Sequence, residues 1–260
     1  VEAILKTDNL HIEILDSVVN YGNIVSGEST LSNFDNFKVK IANEILFGDI
    51  EFKLHVKAST MEGHFEDFID FSVNISLNQF GFPISTSELR SSPLVIDLNN
   101  DNSKEIVLAD NNGFVRIYNA DGSEIINGTF PFDTGNQIWG SPAAADMDGD
   151  GVIEFVITSK SKHLYIFNLD GLKVDYNANK YLMGTPAIGN LDDDMDLEVV
   201  IGGYSSPTSS SPIFAINPDG SDVEGFPLVI GEKMKAGIAL ADYNDNGKDD
   251  IVVGTDSDHL

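Results

Sequence analysis

Four stretches of this chain each crowd carboxylates and amides into nine residues: DLNNDNSKE at 97–105, DMDGDGVIE at 146–154, NLDDDMDLE at 190–198 and DYNDNGKDD at 242–250. All fit one frame, with Asp or Asn at positions one, three and five and a carboxylate at position nine. Two acids about 4 Å apart repel by roughly 4 kcal/mol at an effective dielectric near 20. A cluster of this kind must spread open, protonate or take up a positive partner. Oxygens from positions one, three and five, a backbone carbonyl near seven and the acid at nine can wrap one hard cation, as in a compressed EF-hand loop. Calcium suits the set, because it accepts about six to eight oxygens at flexible angles. Magnesium demands a tighter octahedron. Zinc prefers His or Cys, which the loops lack.

Position six must turn sharply, which suits Asn102, Gly151 and Gly247 but not Met195. The third loop is therefore expected either to be strained there or to take another path. Counting acids at the four ligand positions gives three, four, three and two along the chain. On charge alone the second loop is expected to bind tightest and the fourth weakest. One acidic, Gly-containing turn would be as well explained by solvation, but four copies in one frame favour the metal.

The elements that must hold these loops also repeat. SSPLVI, GSPAAA, GTPAIG and KAGIAL precede the loops, and the unbroken apolar runs IVLA, FVIT, VVIG and IVVG follow them. Such runs read as strands covered on both faces. Next come FVRIYNADG, HLYIFNLDG and IFAINPDG, strands running into Asn-x-Asp-Gly turns. NGTFPF and VEGFPL then mark a fourth strand. Four short strands in a unit of this length are expected to form a β-propeller blade, which buries its faces only against neighbouring blades. FGFPI at 80–84 has the look of a fourth strand but precedes the first loop. It is expected to complete the last blade from the N-terminal side, leaving about three and a half blades in this chain.

The frame D-x-[DN]-x-[DN]-G-x-x-[DE] followed by an apolar strand resembles the FG-GAP or VCBS repeat of integrin α-subunit heads and of many secreted bacterial proteins. The resemblance covers residues 80–260. It implies a β-propeller with up to four Ca2+ sites between the first and second strands of its blades. By that resemblance the ligands are Asp97, Asn99, Asp101 and Glu105; Asp146, Asp148, Asp150 and Glu154; Asn190, Asp192, Asp194 and Glu198; and Asp242, Asn244, Asn246 and Asp250. The carbonyls near position seven would come from Ser103, Val152, Asp196 and Lys248.

Residues 1–79 contain no such loop. IEFKLHV and FSVNISL alternate, placing Ile50, Phe52, Leu54 and Val56 on one face and Phe71, Val73, Ile75 and Leu77 on another. With VEAIL, LHIEIL, VNYGNIV and NFKVKIA, this region is expected to form an immunoglobulin-like β-sandwich. It resembles the small sandwiches that follow the catalytic domain of some secreted bacterial peptidases. The fold class expected is therefore all-β, with a sandwich at 1–79 and a partial propeller at 80–260.

The chain carries 42 acids against 15 bases, a formal charge of −27, which argues against nucleic acid or an anionic membrane surface as partner. Cysteine is absent, excluding disulfides and thiolate metal sites, and no apolar run is long enough for membrane insertion. Val1 follows no leader and TDSDHL ends just after a strand, so the chain reads as part of a longer protein. His11, His55, His64, His163 and His259 are scattered, and no HExxH, nucleophile elbow, P-loop or dinucleotide fingerprint occurs. Trp139 in QIWGSP could contact carbohydrate or peptide, but packing between blades is the expected role. SSPTSSSP at 205–212 is expected to be a surface insertion. The expected function is non-catalytic: a calcium-stabilised binding or adhesion module of a secreted or cell-surface protein, with a protein or glycan ligand. The alternative is the accessory tail of a secreted hydrolase, such as a peptidase, whose catalytic domain precedes Val1.

Overall fold

The alternating and continuous apolar runs become strands throughout. The computed structural model describes residues 1–25, 28–30, 35–79, 81–205 and 211–256, and these contain no helix. Most of the Ser-rich insertion, at 206–210, and His259 lie outside the described residues. The chain divides into two units, Val1–Gln79 and Phe80–Leu260.

The first unit has six strands: β1 (Glu2–Lys6), β2 (Ile12–Asp16), β3 (Val18–Asn20), β4 (Lys38–Ile41), β5 (Gly48–Thr60) and β6 (Gly63–Ile75). They form a four-stranded sheet in the order β3-β1-β5-β6 and a two-stranded sheet, β2-β4. Leu5, Ile12, Ile50 and Phe52 form a core to which both sheets contribute. The β5–β6 hairpin is the longest element, in register from Gly48 opposite Ile75 to Thr60 opposite Gly63. Its outer strand departs from the sequence expectation. Phe71 and Val73 alternate correctly yet are 38% and 45% exposed, because β6 is an edge strand and the short β2-β4 sheet leaves its apolar face largely open. His55 is buried against Phe68 and hydrogen-bonds Glu66 at 3.2 Å, a structural role.

The second unit repeats one antiparallel meander. Its first sheet is β7 (Leu94–Ile96), β8 (Glu105–Ala109), β9 (Phe114–Tyr118) and β10 (Phe132–Asp133). The second is β11 (Ala143–Ala145), β12 (Glu154–Thr158), β13 (His163–Asn168) and β14 (Gly171–Asn177). In the third, β16 (Ala187–Gly189), β17 (Glu198–Tyr204), β18 (Pro212–Ile216) and β19 (Leu228–Val229) pair in turn, with β15 (Tyr181–Leu182) added to the end of β17. β20 (Ile238–Ala241) and β21 (Asp250–Val253) begin a fourth. The described residues thus give three blades and the first two strands of another, a partial propeller.

The cores lie between sheets. Val107, Val115 and Ile117 of the first sheet pack with Phe155, Ile157 and Phe167 of the second. Val156, Leu164 and Ile166 reach the third through Val199, Ile201 and Phe214, and Val200 and Ala215 meet Ile238 and Ile251 of the fourth. This explains the unbroken apolar runs, since β12 and β18 are buried along their whole length on both faces. FGFPI forms no strand among the described residues. Gly81 lies against the Asp121–Gly122 turn of the first sheet, as Thr129 lies against Gly171 of the second.

Candidate metal centres

Each acidic stretch joins the first strand of a sheet to the second, so its ends are fixed by antiparallel pairing: Ile96 opposite Glu105, Ala145 opposite Glu154, Gly189 opposite Glu198, and Ala241 opposite Asp250. Within the loops the backbone grips one oxygen of nearly every expected ligand. The position-nine acid accepts the N–H of position two in all four: Glu105 from Leu98 at 2.8 Å, Glu154 from Met147 at 3.0 Å, Glu198 from Leu191 at 2.6 Å and Asp250 from Tyr243 at 3.0 Å. The position-five side chain accepts the N–H of position seven, as Asp101 from Ser103, Asp150 from Val152, Asp194 from Asp196 and Asn246 from Lys248. Asp97, Asp146 and Asp242 each accept the N–H of position six, from Asn102, Gly151 and Gly247. In the second and third loops these bonds leave oxygens of three acids close together.

Two clusters are tight. Single oxygens of Asp146, Asp148 and Asp150 lie within 4.8 Å of one another, as do oxygens of Asp192, Asp194 and Glu198. Three oxygens in these two loops are buried without a hydrogen-bond partner: Oδ1 of Asp146, Oδ1 of Asn190 and Oε1 of Glu198. Buried oxygens rarely go unpaired, and an absent ion is one physical reason for it. Burial, reinforced by the charges of Asp192 and Asp194, pushes the Glu198 carboxyl above its ordinary pKa, against the pull of the Leu191 N–H. Lys248 pairs with Asp193 of the third loop at 2.7 Å, but no cation pairs with Asp192, Asp194 or Glu198 among the described residues, and that donor set fits a hard divalent cation.

The second loop carries a counter-charge of its own. Lys173 Nζ, from β14, lies 2.8 Å from Glu154 Oε1 and 3.1 Å from Asp148 Oδ2. Burial alone would lower the Lys173 pKa, but these two hydrogen bonds raise it, while the Lys173 hydrogen bond holds Asp148 below the ordinary carboxylate range. Sequence reasoning missed Lys173. The signal is positional: two residues after the Asp-Gly of the turn stand Glu124 in the first blade, Lys173 in the second and Asp222 in the third. Counting acids thus misjudges the second loop, since two of its ligand groups are engaged by an ammonium.

The first and fourth loops differ again. In neither do three acids meet within that 4.8 Å spacing among the described residues. Asn244 donates its amide to both oxygens of Asp250, at 3.2 and 3.1 Å, satisfying the fourth loop internally. Asn102, Gly151 and Gly247 have φ of 68°, 86° and 86°, matching the expected left-handed turn at position six, whereas Met195 is not among the positive-φ residues. The third loop takes a different path and leaves Met195 93% exposed.

Successive loops are tied together. Asn100 donates to the Gly151 carbonyl at 2.8 Å, Leu197 N–H to the Met147 carbonyl at 2.8 Å, and Asp249 N–H to the Asn190 carbonyl at 2.7 Å. The four loops form a linked row along one end of the strands.

A family model for the FG-GAP-like repeat matches residues 97–157, which span the first two acidic loops and the sheet between them. Among solved structures, two chains from crystals of BBS1N in complex with ARL6DN are similar at 15% identity, one crystal soaked with lead and one with mercury. The first has a TM-score of 0.49, covering 67% of this chain and 52% of its own. The second has 0.46, covering 69% and 58%. This chain therefore spans a little over half the length of each. No curated protein matches significantly.

Proposed function

We propose that this chain is a non-catalytic, calcium-stabilised binding or adhesion module of a secreted or cell-surface protein. The observation that carries this reading is the trio of buried, unpartnered oxygens at Asp146, Asn190 and Glu198, inside loops whose backbone already orients the other ligands. Asn190, Asp192, Asp194 and Glu198 would hold the tightest ion. Asp146, Asp148, Asp150 and Glu154 would hold one only in competition with Lys173. Asp97, Asn99, Asp101 and Glu105, and Asp242, Asn244, Asn246 and Asp250, would complete up to four sites, with the carbonyls of Ser103, Val152, Asp196 and Lys248 as further donors.

The ion's contribution is structural. It supplies the positive charge that the acids of each loop lack and thereby stiffens the linked row between blades. An occupied site stabilises the fold by about 2.7 kcal/mol when free calcium is a hundredfold above Kd. Loops built on short turns suit millimolar calcium, which favours an extracellular setting. In the same account residues 1–79 are an immunoglobulin-like sandwich, supported by their six strands in two sheets with a common core. The ligand is a protein or a glycan. Calorimetric titration with calcium tests the metal reading: saturable binding at more than one site, lost first on Glu198→Gln, is expected, and a flat titration at millimolar calcium overturns it.

A further inference from the structure

The strand ends opposite the acidic row carry a different chemistry. Trp139 precedes β11, Lys160 lies in the turn between β12 and β13, Tyr181 and Met183 precede β16, Tyr204 ends β17 and Lys235 precedes β20. These residues line a cavity of about 440 Å³, within the range of roughly 300–1,000 Å³ typical of small-molecule sites. No carboxylate lines it, in a chain where acids outnumber bases 42 to 15. Three other cavities all include acids, such as Asp49 and Asp70, Asp170, or Asp110 and Glu124.

Cations gather on the aromatic rings here. Lys160 Nζ stands 4.1 Å from the centre of the Trp139 ring and the Arg90 guanidinium 4.9 Å from it. Lys233 and Lys235 lie 4.8 and 5.2 Å from the Tyr204 ring, and Lys162 lies 5.6 Å from that of Tyr181. Asp256 pairs with Lys235 at 2.7 Å without lining the cavity, and Lys160 also donates to the Gln137 amide oxygen at 2.6 Å. The indole N–H of Trp139 is buried with no acceptor. Arg90 likewise pairs with Glu88 at 3.2 Å, so of the two lysines lining the cavity Lys160 is the one without a carboxylate partner among the described residues.

We propose that this cleft binds a carboxylate-bearing sugar, a uronic acid residue within an acidic polysaccharide. Lys160 and Lys235 pair with the carboxylate, and Tyr181, Tyr204 and Met183 offer apolar surface to the C–H face of the pyranose. A sugar suits the site better than an acidic peptide because Tyr181, Tyr204 and Met183 place apolar surface beside the lysines of one cavity, which the C–H face of a pyranose can cover. The inference rests on reading the chain as a binding module and gives that module a ligand class, but it does not depend on the metal.

Trp139 is the only tryptophan in the chain, so its emission reports on the cleft directly. The 260-residue protein, in buffer with calcium and again with chelator, is titrated with a hyaluronan hexasaccharide, a neutral chitin hexasaccharide and poly-L-glutamate. A saturable change with hyaluronan alone is expected. Lys160→Gln and Lys235→Gln each weaken it by about tenfold or more, while Lys57→Gln in the first unit leaves it unchanged, with melting temperatures held as the folding check. No response to hyaluronan, or one that survives both cleft substitutions, overturns the proposal, and a response to poly-L-glutamate equal to or above that to hyaluronan gives the cleft to an acidic peptide instead. If glycan binding fails while chelation still lowers the melting temperature, only the cleft assignment falls; if binding persists and chelation has no effect, only the metal reading falls.

Discussion

Glu198 is the residue on which the metal account presses hardest. Its side chain is fully buried, one oxygen is held by the Leu191 N–H and the other faces the acids of its own loop. Because its folded pKa lies above the ordinary value, its contribution to stability is fully present below the unfolded pKa and is lost as pH rises through the folded one. Ionising this carboxyl without a cation therefore works against folding. Glu198→Gln keeps an acceptor for Leu191 and removes the charge. It is expected to raise the melting temperature in chelator by about 2–4 °C, the shift per kcal/mol in a domain of this size, and to shrink the gain that calcium gives. A melting temperature in chelator at or below that of the parent protein would contradict the burial argument. Lys173 makes the opposite prediction. Removing an ammonium that holds Asp148 and Glu154 frees two ligand groups, so Lys173→Met is expected to tighten one calcium site by about tenfold or more, since a charge-assisted hydrogen bond contributes roughly 1.5–3 kcal/mol. Titration showing unchanged or weaker binding would mean that the lysine supports the site instead of competing for it.

At the scale of elements, blades are held close where side chains are absent. A Cβ on Gly140 would come within 2.1 Å of the Gly184 carbonyl oxygen, and one on Gly184 within 2.2 Å of that of Ala236. These backbones touch across successive blades just before β11, β16 and β20. Gly184→Ala is expected to cost about 1–3 kcal/mol by forcing the blades apart, measurable as a lowered denaturant midpoint; no change would mean that the blades slide freely. The elements were largely legible in the sequence, because four loops in one frame and unbroken apolar runs leave few alternatives to strands buried between neighbouring sheets. Periodicity was less informative for β6, where Phe71 and Val73 alternate as a buried face does but remain half exposed. Alternation specifies which side chains share a face, not whether another layer covers it. Lys173 and the aromatic cleft were not legible for a related reason. Both arise where residues from strands or blades distant in sequence converge, as Trp139, Tyr204 and Lys235 do, and no local motif encodes that meeting. Trp139, expected to pack between blades, also lines a cavity and has Arg90 and Lys160 against its ring.

At the scale of the whole chain, a formal charge of −27 makes self-repulsion a standing cost to the compact state. Divalent ions relieve it by binding in the loops, whereas monovalent salt can only screen it. Calcium at millimolar concentration is therefore expected to stabilise the fold more than sodium chloride at equal ionic strength. The acidic loops and the cation-lined cleft lie at opposite strand ends of the same blades, so one array can hold metal on one side and a ligand on the other. The most direct measurement of the central claim is the melting temperature of the protein in calcium and in excess chelator. The account predicts a fall of several degrees on chelation, restored by added calcium and smaller in Glu198→Gln; an identical melting temperature in both buffers would show that the acidic loops hold no ion that matters to the fold.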